Sequence, residues 1–293
     1  FQAEDGIRDF CLSRGLGDVY KRQVKPTTDN RIFVNAYGSL NGRTELNTHF
    51  NTTLSERWST GLYVHADNRS QKFDRNNDSF LDMPLSKQLN IMNRWQYSNL
   101  QKGLISFLNV RYLTDEKQSG QLDFDPETDR LSNTVWGSEI ATKRFEISAK
   151  FGYVNPEIPY QSLGFQMSYS DHDQTSYFGL NQYDIRHKSV YSNLVYNSII
   201  SDSRHKIKTG LNATYDDYNE RVDLDLYDRS ERSIGGFFEY SFDNLEALNL
   251  TAGIRVDHHN LLGTFITPRV HARYTPWEKS GNNLTFYKKP FVN

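Results

Sequence analysis

The chain has 293 residues, a formal net charge of −2, one cysteine and 37% apolar residues; aromatics alone are 14% of the chain. The near-zero charge removes the electrostatic case for nucleic acid, and with a mean hydropathy of −0.72 no apolar run approaches the ~20 residues of a spanning helix. The 18 Tyr and 18 Phe argue against disorder, which is poor in such residues, and favour β-structure that is wet on more than one side.

Taken in chain order, residues 1–23 lack an initiator Met, a basic n-region and an apolar h-region. The stretch AEDGIRDFCLSRGLGDVYKRQ (Ala3 to Gln23) resembles translated sequencing-adapter read-through. It is expected to be a non-native leader, and it holds Cys11, so residues 24–279 are cysteine-free.

Beyond the leader a period of two runs through the chain, the signature of strands whose successive side chains face opposite ways. Thr44, Leu46, Thr48, Phe50 and Leu54 alternate with Glu45, Asn47, His49, Asn51 and Thr53. Phe145, Ile147, Ala149, Phe151 and Tyr153 alternate with Glu146, Ser148, Lys150 and Gly152. Ile207, Leu211, Ala213 and Tyr215 oppose Lys206, Lys208, Asn212 and Asp216, and Leu248 to Val256 repeats the alternation. The spacing predicts strands near 31–41, 43–54, 57–69, 88–99, 103–115, 133–154, 161–178, 186–200, 205–219, 231–242, 247–259 and 266–276. No comparable stretch has helical spacing. The fold class is all-β, an antiparallel meander of about twelve long strands.

Short connections at one end alternate with longer ones at the other, the latter at 70–87, 116–132, 181–185 and 220–230. That layout belongs to membrane barrels rather than to sandwiches; the short turn at Asn41-Gly42 departs from it. Trp58, Trp95, Tyr97, Tyr153, Phe242 and Tyr274 gather on the apolar parity at the short-turn end, where an interfacial aromatic girdle would stand. Inward-facing Asn, Ser, Lys, Arg and Asp make a wet or plugged lumen and not a dry core.

Residues 30–279 resemble the barrel portion of a TonB-dependent outer-membrane receptor of Gram-negative bacteria. The resemblance rests on DRNNDSFLDMP (Asp74 to Pro84), NRWQY (Asn93 to Tyr97), QSGQLDFDP (Gln118 to Pro126) and SYFGLNQYD (Ser176 to Asp184). The most specific stretch is GIRVDHHNLLGTFITPRVHARYTP (Gly253 to Pro276). It implies part of a 22-stranded transmembrane β-barrel, with the plug and the TonB-contacting box not visible and residues 280–293 an unassigned tail. It also implies a bacterial outer-membrane location and contacts with outer-membrane lipids and, through the plug region, with the TonB complex. The implied function is energy-coupled import of a small metal chelate of the siderophore kind, or of a cobalamin-like ligand.

Chemistry is sparse. Asp74, Asn76, Asp78, the Phe80 carbonyl and Asp82 offer oxygens at alternate positions, as a calcium loop does. Ser79 in place of the loop glycine and Leu85 at the twelfth position exclude an EF-hand, and the same composition suits a solvated Asx-rich loop. No cofactor is required by the sequence; calcium in an external loop is the one candidate this pattern offers, with the solvated loop as its alternative. Gln118, Asp123 and Asp125 in one loop, and Tyr177, Phe178 and Tyr183 in another, are the expected ligand contacts. Adjacent His258 and His259 face opposite ways on a strand and do not chelate together. No nucleophile elbow, HExxH or phosphate-binding loop is present, so the chain is expected not to be an enzyme. A passive porin or adhesin barrel and a soluble carbohydrate-active β-domain are the competing readings.

Overall fold

The computed structural model describes residues 30–244, 247–275 and 284–287. The expected leader 1–23, Cys11 and most of the tail lie outside the described residues. Among the described residues, one open antiparallel sheet contains every strand, in the order of the sequence. The strands are β1 (Ile32–Gly38), β2 (Arg43–Thr53), β3 (Trp58–Arg69), β4 (Leu85–Asn99), β5 (Leu104–Gly120) and β6 (Gly137–Val154). They continue as β7 (Ser162–Phe178), β8 (Asn181–Ile200), β9 (Asp202–Val222), β10 (Asp225–Asp243), β11 (Leu248–His259), β12 (Gly263–Tyr274) and β13 (Leu284–Tyr287). All twelve expected strands are present. The short β13 adds a thirteenth, pairing with β12 from His271↔Tyr287 to Tyr274↔Leu284.

Registered partners carry one parity across the whole sheet. The row Trp58↔Tyr97, Tyr97↔Ser106 and Ser106↔Phe151 lies on the same side as Leu194↔Leu211 and Phe238↔Ile254. This outward side is apolar and open to its surroundings: Leu211 is 58% exposed, Ile234 61% and Phe151 53%. The other side is polar and shielded, with Asn51, Ser59, Arg94, Gln96, Asn193 and Asp257 all buried. Only Phe107, Phe124 and Tyr177 are buried among the described apolar and aromatic residues. A soluble fold would invert this arrangement.

Polar groups on the outward side are satisfied inside the sheet. Thr44, Thr48, Thr60 and Thr209 each donate a hydroxyl to a backbone carbonyl of a neighbouring strand, at 3.3, 2.9, 3.0 and 2.8 Å. Asn93 accepts from Trp95 and donates to the Gly61 carbonyl at 3.1 Å. The rings at the short-turn end meet where the sequence places them, Trp58 tilted against Tyr97 with centroids 5.1 Å apart.

Two of the expected long connections are strand instead. Residues 181–185 belong to β8 and most of 220–230 to β9 and β10, leaving turns of only two residues, 179–180 and 223–224. The reason is physical: beyond the apolar rows both faces of these ribbons are polar, so alternation vanishes although the hydrogen-bond ladder continues. The genuine long loops are 70–84 and 121–136.

Candidate functional site

The two long loops stand side by side at one end of the sheet and are laced into one body. Phe80 bridges Gln121, Leu122 N–H donates to the Ser79 carbonyl and Leu81 N–H to the Gly120 carbonyl, both at 2.9 Å. Lys72 Nζ donates to the Leu122 carbonyl, and Phe80 packs on Trp136 at 6.1 Å. Backbone groups of irregular loops need such partners, because no ladder supplies them.

Within loop 70–84 the acidic residues act as backbone caps. Asp74 accepts N–H bonds from Asp78 and Ser79 at 3.2 and 2.9 Å. Asp78 accepts from Phe80 N–H and from the Asn76 amide, both at 2.8 Å. Asp82 accepts from Arg75 N–H at 3.0 Å, while Arg75 reaches Asn41 at 2.6 Å. The left-handed φ of 59° at Asn77 and 67° at Ser79 belong to the same tight winding, which Asn tolerates better than Ser. These contacts are those of an Asx-rich loop. Among the described residues no group of three or more His, Cys, Asp or Glu is arranged to hold a metal.

The other expected contacts separate by side. Asp123 is exposed at the loop surface, and Asp125 accepts from Glu127 N–H at 3.0 Å. Gln118 is no loop residue; it sits on β5 opposite Leu85 and Glu139, on the outward parity. Tyr177 and Phe178 close β7 and Tyr183 lies on β8, so none of the three is on a long loop.

Tyr177 is 1% exposed and cannot meet a ligand as it stands. Loop 121–136 covers it: Phe124 lies 6.4 Å from its ring and the Arg130 guanidinium 5.1 Å. Phe124 fits because Gly137 has no side chain; a Cβ there would stand 2.4 Å from the Phe124 ring. Above the apolar rows, burial first and then the negative charge of Glu139 push the Tyr177 phenol up to about 12. Phe178 and Tyr183 share the inward parity, facing Ser138 and Ser176 across the ladder.

The inward side holds a constellation that motif reading missed. Arg144, His172, His187, Tyr218 and Arg229 are successive registered partners from β6 to β10. The His187 and Tyr218 rings stack at 4.2 Å and 2°, and the Arg229 guanidinium lies 4.0 Å from the Tyr218 ring. His187 meets Asp216 at 2.9 Å, and Arg229 is held by Glu220 and Glu231 at 2.7 and 2.9 Å. Arg144 is held by Glu146 at 2.7 Å. The row presents planar aromatic and guanidinium groups pre-oriented by carboxylates, an arrangement suited to flat or oxygen-rich polar ligands. Its only trace in the sequence is polar parity, since register is set between strands.

No family model matches the sequence, and no curated protein matches it. Solved structures do share its fold. The alcaligin outer-membrane receptor FauA from Bordetella pertussis aligns at 12% identity and a TM-score of 0.60, over 80% of this chain and 39% of the receptor. The siderophore receptor PirA from Pseudomonas aeruginosa aligns at 12% and 0.57, over 84% and 40%, and the copper transporter OprC at 12% and 0.60, over 83% and 41%. These are TonB-dependent outer-membrane receptors, and the chain has the fold of their barrel wall. It spans about two fifths of the length of the structures it matches.

Proposed function

We propose that the chain is a section of barrel wall from an outer-membrane receptor that imports a small chelate by energy coupling through TonB. One observation carries the reading: the apolar side of the sheet is the exposed one, and the polar side is shielded. The outward run from Ile234 to Phe242 covers about 26 Å of strand, or about 19 Å of depth at a tilt of about 45°. Above it the outward parity turns charged across registered partners, Asp171, Lys188 and Asp217. With the outward row Tyr169, Val190 and Tyr215, two residues above Ile234, the height comes to about 23 Å, close to the ~25 Å apolar band of an outer-membrane barrel. The solved structures with this fold include receptors named for alcaligin and siderophores, which supports a chelate as cargo, and a non-enzymatic role goes with it.

The inward row Arg144–His172–His187–Tyr218–Arg229 is the assigned cargo contact, with Phe178 and Tyr183 above it. Fractionation after secretion into a Gram-negative host tests the location: the chain is expected in the outer membrane, released by detergent but not by alkaline carbonate. Recovery as a soluble monomer overturns the reading. In detergent, a ferric siderophore panel is expected to quench intrinsic fluorescence, and Tyr218→Ala with Arg229→Ala to weaken binding about tenfold or more. Unchanged binding in that pair removes the row as the contact.

A further inference from the structure

The inward row has unlike ends. On β5 and β6 one carboxylate serves two guanidinium groups, Glu146 lying 3.2 Å from Arg111 and 2.7 Å from Arg144. On β9 and β10 the ratio is reversed. Arg229 is shared by Glu220 and Glu231 at 2.7 and 2.9 Å. Asp216 has only the His187 ring, at 2.9 Å, and Glu231 has the His259 ring 3.7 Å away. Between the two ends stand the rings of His172, His187 and Tyr218.

Asp216 and Glu231 are direct partners across the ladder, and like charges directly opposite each other destabilise a sheet. The described residues contain one other pair of acidic partners, Glu45↔Asp67 between β2 and β3. There Arg43 reaches both carboxylates, at 2.9 and 3.2 Å. Among the described residues no guanidinium or ammonium bridges Asp216 to Glu231, because Arg229 spans Glu231 and Glu220 instead. Both carboxylates stay open, with 22% and 31% of their side-chain surface exposed. A cation supplied by a ligand would do for this pair what Arg43 does for the other.

We propose that the cargo is a metal chelate with a pendant ammonium on an arm. The guanidinium groups of Arg111 and Arg144 donate to the anionic oxygens around the metal. The arm lies over the stacked His187 and Tyr218 rings, and the ammonium, with its three N–H donors, sits between Asp216 and Glu231. Arg144 on β6 and Asp216 on β9 are three strands apart, which puts the cation on an arm and not in the metal's own ligand shell. A chelate that is anionic throughout meets two unbridged carboxylates and is repelled. This cargo class rests on the row being the cargo contact, as proposed above.

The test uses the 293-residue chain in detergent and three ferric trihydroxamates that differ at the end of one arm. Ferrioxamine B has a free ammonium there, its N-acetyl derivative is neutral, and its N-succinyl derivative ends in a carboxylate. Fluorescence titration is expected to rank them in that order, the ammonium form about tenfold or more tighter than the acetyl form. Asp216→Asn with Glu231→Gln, which keeps the size of both side chains, is expected to bring the ammonium form to the affinity of the acetyl form and to leave the latter within about twofold. Glu45→Gln with Asp67→Asn, on the pair that Arg43 already bridges, is expected to leave the ranking as it is. Three outcomes overturn the proposal: an acetyl or succinyl form that binds as tightly as the ammonium form, a preference that survives the Asp216 and Glu231 substitutions, or one lost equally on substituting Glu45 and Asp67. If other ferric siderophores quench the fluorescence and none of these three does, the pendant-ammonium class fails and the receptor reading stands. If no ferric siderophore binds at all, both fail together.

Discussion

The sheet has two levels built on opposite rules. Among the apolar rows, outward Leu211, Ile234 and Phe151 are exposed while inward Asn51, Arg94 and Asp257 are buried. Beyond those rows the ordinary rule returns: Phe124 and Tyr177 form a small dry core beneath loop 121–136. The difference teaches that the solvent sets the pattern. In hydrocarbon an exposed leucine costs nothing and only the backbone must be satisfied. In water a long loop keeps its shape only by burying something of its own or by capping its backbone.

The comparison is broken most directly by removing the upper core. Phe124→Ala is expected to cost about 3–5 kcal/mol locally, opening loops 70–84 and 121–136 together because they share the Phe80–Gln121 bridge. Hydrogen exchange should show both loops losing protection while β8 to β10 keep theirs; protection lost in one loop alone would contradict the shared body.

Next in size is a charge placed on the outward parity. Leu211→Arg among the apolar rows is expected to cost about 2–4 kcal/mol in a bilayer, whereas Asn219→Arg, eight residues up the same strand and parity, should cost about 0–1 kcal/mol. Urea titration in lipid vesicles separates the two, and equal costs would erase the distinction between levels. Smaller again, Asp74→Ala removes the acceptor of two backbone N–H groups and should cost about 1 kcal/mol, seen as faster exchange at Asp78 and Ser79. If Asp74→Asn, which keeps one carbonyl acceptor, is as damaging as the alanine, charge rather than capping is what matters there.

The smallest effect is a pH response. The Tyr177 phenol stands above its ordinary 10.0, at about 12, so its share of loop stability is complete below about pH 10. It falls as pH rises from there toward 12, since the unfolded chain ionises first. Trp136 emission should report this loss, and Tyr177→Phe should abolish it.

Much of this molecule was legible from local pattern alone. Parity in Phe145 to Tyr153 or Leu248 to Val256 needs no partner to be read, because alternation belongs to each strand by itself; twelve strands and the aromatic girdle followed from it. The expected loops at 181–185 and 220–230 failed where both faces are polar and the contrast vanishes. Tyr177, expected to grip a ligand, is buried because residues more than forty positions earlier fold over it.

What the sequence by itself determined, then, is which residues alternate and hence which side is oily. Tertiary structure alone decided which residues stand next to one another. His187 on Tyr218 on Arg229, Asp216 beside Glu231 and Phe124 over Gly137 are all products of register and loop path, contacts between segments whose separate patterns carry no mark of each other.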